Sequence, residues 1–356
     1  MIQLKGDYLE GGGQLVRTAL ALSALTGKPF EVNDVRKGRK VPGLKAQHIH
    51  CVEALQKLCN AKAEGVELGS TQLKFEPGKI EPKTVSVDIG TAGSVSLLLQ
   101  SILLPAMLAG GKVRLKIRGG TSGKWAMPFD FFNEVLVPQL RRWADIDCKL
   151  VRRGYYPKGG GEVDIKIKGK HKVDNMEGAA PIPLVTQGHL LQIKGVSHAS
   201  SDLEKAQVAE RQARAAKSVL SKLNVPVQIV HQYSETLSTG SGITLWAIFS
   251  LQEDDVDVNN PIRLGADALG EPGKRAEVVG EEAAKKLLAE IESGATVDSH
   301  TADNLIPFIA VFGGQFRTSE ITQHAKTGIY VVQQFLGDCI ELDEDRKNIK
   351  NKEVLK

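Results

Sequence analysis

His324 stands in the stretch TSEITQHAKTGIYVVQQFLG, residues 318–337. Apolar Ile329, Val332, Phe335 and Leu336 recur there at three- and four-residue spacing, which predicts a helix from about Thr327 onward. The imidazole then lies just ahead of a helix N-terminus, whose unpaired N–H groups and partial positive charge attract phosphate and disfavour a second positive charge nearby. A neutral imidazole in that setting is a nucleophile. The plainer role for the same position is to cap the helix or fill a surface niche, and position alone leans that way.

Other segments carry residue types suited to phosphate chemistry. In EGGGQLVR, from Glu10 to Arg17, three glycines precede a helix and let a ligand approach the backbone closely, although glycine runs before helices are common. Neither G-x-x-x-x-G-K-[ST] nor G-x-G-x-x-G occurs, so no standard nucleotide cradle is present. VRKGRKVPGLKAQH clusters Arg36, Lys37, Arg39, Lys40 and Lys45 in one loop. A solvated basic loop is the usual meaning of such a run. Here Gly38, Pro42 and Gly43 give the loop a specified shape, and arginine forks bind phosphate through paired hydrogen bonds. His48 and His50, two residues apart on a predicted helix, point to different faces and do not make a metal pair. Gln100 lies inside an apolar helix and must find a partner, structural or ligand. Asp303 and Asn304 in HTADNLIP sit at a helix start, where capping is the default role. KGGGEV, after RRGYYP, reads as a turn into a strand.

The elements that must position these groups follow a repeat. Each unit runs from an apolar helix through a glycine into a short strand and, after a loop, into a second helix. The helix pairs fall at residues 13–27 with 42–58, at GSVSLLLQSILLPAMLAGG with 127–143, and at HTADNLIPFIAVFGG with TGIYVVQQFLG. Strands TQLKFEP, TVSVDIG and GEVDIKIKG fill the gaps. The prediction is an α/β (α+β) fold of three units, each with two helices and a four-stranded sheet. Residues 1–185 and 262–340 form the main domain. Residues 186–261 interrupt it as a small α/β insertion, and a charged tail from 341 to 356 is expected to fray or lie on the surface.

Composition sets the bounds. The 356 residues are 42% hydrophobic and 25% charged, an ordinary globular balance able to bury a core without staples. Four cysteines without C-x-x-C spacing predict free thiols in a reducing compartment. The first residues, MIQLKGDYLE, carry no signal or transit pattern, and the apolar run from Val95 to Ala109 is broken by Gln100 and Pro105. A cytoplasmic location without membrane attachment is therefore expected. The net charge of +4 is a weak pointer to an anionic partner.

EGGGQLVR, VRKGRKVPGLKAQH, GTAGSVSLLLQ, RGGT, YYPKGGGEV, HTADNLIP and QHAKTG, in that order, resemble the RNA 3'-terminal phosphate cyclase family over nearly the whole chain. The resemblance implies three repeats like the C-terminal domain of an initiation factor, plus a small inserted domain. It implies ATP-dependent conversion of an RNA 3'-phosphate to a 2',3'-cyclic phosphate through a histidinyl-AMP and an RNA adenylate. The nucleophile then falls on His324. Glu10 would contact a divalent metal, Mg2+ or Mn2+. Arg17, Arg36, Arg39, Gln47, His48 and Gln100 would position phosphates or the RNA end. Pro128 and His300 would clamp the adenine, with Asp303 and Asn304 in the same pocket. Two positions depart from some relatives, which carry tyrosine at His300 and glutamine at Asn304. The ligase-type K-x-D-G signature is absent. Two alternatives remain: a silent branch of the family that acts in ribosome biogenesis and lacks the histidine, and an enolpyruvyl transferase of related repeat plan.

Overall fold

A computed structural model of the chain describes residues 1–9, 11–124, 126–252 and 255–351. It contains four mixed sheets of four strands, each covered by two helices. In the first repeat, strand Ile2–Lys5, helix Gly13–Thr26, strand Phe30–Asn33 and helix Ala46–Cys59 lead into strands Lys62–Glu64 and Leu73–Glu76. The first two strands pair in parallel across the helix, and the last two close the sheet antiparallel in the spatial order 1-2-4-3. The second repeat has the same order from strands Thr84–Asp88, Lys112–Gly119, Ala144–Arg152 and Gly161–Gly169. Its helices are Val95–Met107 and residues 129–140.

The third repeat is split. Its first strand is Ile182–Leu184, which pairs in parallel with Gly314–Arg317 on the far side of more than a hundred residues. Between them lies a sheet ordered Val227–Ser234, His189–Ser200, Ser241–Ser250, Ile262–Leu269, covered by helices Val208–Leu220 and Ala276–Glu292. Strand Ile262–Leu269 was expected to rejoin the main unit. It instead pairs antiparallel with Ser241–Ser250 as the outer strand of the inserted sheet. Its apolar residues Leu264, Ala266 and Ala268 are buried, and helix Ala276–Glu292 packs on this strand.

Three further expectations are corrected. The second helix begins at Ala46, not near Pro42, because Gly43 and Leu44 donate their N–H groups to the Val35 and Ser70 carbonyls and hold that stretch against the strand loops. Gly43 is required there: its φ is +77° and a Cβ would lie 2.2 Å from the Gly69 carbonyl oxygen. The helix at 129–140 contains a π turn over Phe132–Leu136. Pro138 has no N–H for the Glu134 carbonyl, and that carbonyl accepts from the Arg263 guanidinium instead. Up to Asn351 the tail does not lie loose on the surface, and residues 352–356 are outside the described ones. Strands Ile340–Asp343 and Asn348–Asn351 form a hairpin that completes the third sheet, and Ile349 is fully buried, so period-two apolar residues outweigh the charged composition.

Most buried residues form one large cluster, in which helix Gly13–Thr26 packs on helices Val95–Met107 and Gln323–Leu336. Cys51, Cys59 and Cys339 are buried and all four cysteines are free thiols, as expected. No described helix is long and apolar enough to cross a membrane.

The hairpin does structural work through Asn351, whose side-chain amide donates to the Ile309 and Ala310 carbonyls at 2.6 and 3.2 Å. Asn351→Leu should lower unfolding stability by about 1–3 kcal/mol, read from the urea midpoint at unchanged slope.

Candidate active site

The helix that carries His324 runs Gln323–Leu336, with Thr322 as its N-cap. His324 is therefore inside the first turn, not ahead of the helix. The Thr322 hydroxyl explains the earlier start: it accepts from the Ala325 N–H at 2.9 Å and donates to Asp303 Oδ1 at 2.6 Å. Thr322 was not singled out from the sequence, although its place two residues before the histidine is the ordinary spacing of a cap.

Asp303 lies on helix Ser299–Phe312, whose N-cap is the fully buried Asp298, not Asp303 or Asn304. Burial pushes the Asp303 carboxyl up to about 6, against the pull of the Thr322 hydroxyl and of the two imidazoles of His324 and His300. One residue on, Asn304 donates to the His300 carbonyl at 2.7 Å and accepts from Gln100 Nε2 at 2.9 Å. Gln100 in turn accepts from Arg17 Nε at 2.6 Å. Gln100, half-buried, has thus found structural partners on both sides. Arg17, Gln100 and Asn304 come from the first helix of the first, second and third repeat respectively.

Next to Arg17, the His48 imidazole is buried and its Nδ1 accepts from the Lys45 N–H at 2.9 Å. Burial, with Arg17, Arg36 and Lys45 close by, pushes its pKa down to about 3. It is neutral at physiological pH, and an accepting Nδ1 leaves the proton on Nε2. Gly13 makes this packing possible: a Cβ there would lie 2.1 Å from His48 Nε2 and 2.8 Å from an Arg17 Nη. Gln14 rests against Gly328, one turn beyond His324. Tyr8 stacks on Tyr330 of the same helix, ring centroids 3.9 Å apart, so the glycine loop is fastened to the helix of His324. Glu10 lies outside the described residues.

Arg36 has a different engagement from the one expected. Its backbone is left-handed, φ +55°, and Nη1 donates to the Val41 and Gly43 carbonyls at 2.9 and 3.0 Å. It braces its own loop, and burial together with the nearby Arg39 lowers its pKa. Gln47 donates to the Ser94 carbonyl at 3.3 Å, tying this loop to the start of the next repeat's helix. On the other side, Pro128 caps the helical segment that begins at Phe129, and Phe131 meets the His300 ring edge-on at 6.2 Å. Gln14, Thr18, Gln100, Met127, Asp303 and Asn304 line a narrow cleft beside these groups. Gln14 and Thr18 were not foreseen as lining residues.

The arrangement therefore joins an imidazole at a helix N-terminus, a carboxyl that titrates high, and an arginine oriented by a neutral amide. Such a set can attack, orient and neutralise a phosphoryl group. The high Asp303 pKa has a consequence for stability. The group gains protons on folding, so its contribution is present below about pH 4 and lost as pH rises through about 6. Asp303→Asn, which keeps an acceptor for Thr322, should therefore melt increasingly above the parent chain as pH is raised from 4.5 to 7.5. A constant difference across thermal melts in that range would contradict this.

Comparison with known proteins gives the same direction. The sequence profile described as RNA 3'-terminal phosphate cyclase matches residues 8–342. A Pyrococcus abyssi protein named RNA 3'-terminal phosphate cyclase is 45% identical over 345 residues, covering 96% of this chain and 95% of its own. Proteins of the same name from Methanopyrus kandleri and Archaeoglobus fulgidus are 40% and 39% identical, covering 96% and 98% of this chain and 95% and 100% of their own. With a match of this extent and a polar site assembled from all three repeats, the chain belongs to the RNA 3'-terminal phosphate cyclase family.

Proposed function

We propose that this protein is an ATP-dependent RNA 3'-phosphate cyclase that uses His324 as its nucleophile. The observation that carries the reading is the position of His324 in the first turn of helix Gln323–Leu336, electrostatically coupled to Asp303 and adjoining the polar chain of Asn304, Gln100 and Arg17. The imidazole attacks the α-phosphorus of ATP and expels pyrophosphate. The adenylyl group passes to the RNA 3'-phosphate, and the adjacent 2'-hydroxyl attacks that phosphorus, releasing AMP and closing the 2',3'-cyclic phosphate. Adenylation is needed because an oxygen on a phosphate monoester is a poor leaving group, whereas AMP is a good one.

The residues divide the work. Asp303 holds Thr322, and Thr322 fixes the turn that presents the imidazole. Arg17, held by Gln100, offers positive charge to phosphate oxygens, and neutral His48 offers an Nε2–H donor without adding charge. Arg39 and the loop braced by Arg36 receive the RNA end, with Gln47 anchoring that loop to the second repeat. Pro128 and His300 take the adenine. Asp303 and Asn304 line the cleft with oxygen-bearing groups, the ligand type that Mg2+ or Mn2+ prefers. By the family resemblance Glu10 would contact such a cation, which offsets phosphate charge when bound.

Incubation with α-labelled ATP and a divalent cation tests the reading. The protein should acquire an acid-labile, hydroxylamine-resistant label, and His324→Ala should acquire none while melting at the parent temperature. Full labelling of that variant would refute the assignment of the nucleophile. A folded parent that binds RNA and takes no label would favour the silent branch instead.

A further inference from the structure

The inserted sheet touches the site through its outer strand. Arg263, Gly265 and Asp267 alternate along Ile262–Leu269 and share a face, while Leu264, Ala266 and Ala268 are buried on the other. Arg263 donates to the Glu134 carbonyl, for which Pro138 has no N–H. Gly265 presents bare backbone to the same helical segment: a Cβ there would lie 2.5 Å from Phe131 Cε2 and Cζ, and 2.9 Å from Val135. The Gly265 N–H donates to Asp298 Oδ2 at 3.1 Å, while the other oxygen of that carboxylate caps helix Ser299–Phe312 through the Thr301 N–H at 2.8 Å. Asp267 feels the charge of His300. Behind the Phe131 ring, Val196 and Trp246 of the insertion close an apolar cluster with Val135 and Ile248, and Trp246 is the cross-strand neighbour of Gly265.

One backbone position therefore meets both supports of His300: the Phe131 ring against its edge and the Asp298 cap beneath its helix. We infer that the inserted sheet is a positioning part of the nucleotide site, with Gly265 setting where Phe131 and His300 stand and hence how the base is selected. This rests on the proposed reading of Pro128 and His300 as the base clamp. The physical case is one of leverage. The φ of Gly265 is not in the left-handed region, so an added methyl brings no backbone strain. Its nearest neighbours there are the far end of the Phe131 ring and Val135, so the methyl is accommodated by displacing the ring that stands against His300. A shift of a few tenths of an ångström to one ångström at a positioning side chain is enough to change substrate binding severalfold.

The test is Gly265→Ala in the full-length protein, read by the rate of self-labelling against nucleotide concentration, with ATP and CTP compared. The half-saturating ATP concentration should rise roughly tenfold and the preference for ATP over CTP should shrink, while the saturating rate stays within about twofold. A substitution that merely loosened the fold would lower the labelled fraction and leave half-saturation and base preference untouched, and that result would overturn the inference. Trp246→Leu, which frees space behind the same ring, is the second variant should the first melt early, and it is held to the same two readouts. The outcomes separate cleanly from the parent proposal. A parent protein that takes no label overturns the nucleotide-transfer reading, whereas labelling with unchanged ATP preference in both variants overturns only the role of the insertion.

Discussion

Three polar side chains on the first helices of three repeats, one buried and two half-buried, satisfy one another. Arg17, Gln100 and Asn304 do so in one chain: guanidinium to amide oxygen at 2.6 Å, then amide nitrogen to amide oxygen at 2.9 Å. Losing a partner costs most at buried Arg17, on the order of 1–3 kcal/mol or more, and less at the two half-buried amides. The angle at which the helices cross is therefore constrained by polar geometry as well as by the apolar packing around it. The same chain gives the site its character. The Gln100 amide oxygen fixes the direction of the Arg17 guanidinium through Nε, and does so without adding a charge of its own.

Electrostatics around that chain are graded. At one end, burial and the surrounding cations keep His48 neutral, so phosphate would meet a donor without a further cation to desolvate. At the other, burial raises Asp303, and the two imidazoles near it oppose the shift. A carboxyl of that kind, bonded to the cap of the neighbouring helix, couples the protonation of the site to the geometry of the turn that bears His324.

The repeats were legible in the sequence because each first helix is a long apolar run that ends at glycine before a short strand, a pattern that local sequence fixes. His324, Arg17, Gln100, Asp303 and Asn304 were legible as candidates and are gathered into one contiguous region. What the sequence concealed depends on tertiary partners. The closing hairpin at 340–351 looked like a charged tail because only Ile340, Leu342 and Ile349 face inward. Strand Ile262–Leu269 looked like a return to the main unit because nothing local reveals which sheet a strand will join. The bracing of the basic loop by Arg36 was hidden as well, because its carbonyl partners belong to a loop whose path no spacing rule specifies. Thr322 escaped notice because a cap is recognised only once the helix start is known.

The place of the insertion follows from loop physics and has consequences for the site. It enters after Ile182–Leu184 and leaves before Ser299–Phe312, a connection that in the other two repeats is a short link between strand and helix. Closing a longer loop costs little more than closing a short one, because the entropy grows only with the logarithm of length. The third repeat can therefore keep its parallel pairing of Ile182–Leu184 with Gly314–Arg317 across the inserted domain. The helix immediately after the insertion carries His300, Asp303 and Asn304, so the inserted domain has to end beside them. An outer strand delivered there needs a residue without a side chain where it crosses Phe131, and Gly265 supplies it. Chain connectivity thus brings the inserted sheet to the wall of the site, and Arg263, Gly265 and Asp298 convert that proximity into fixed contacts.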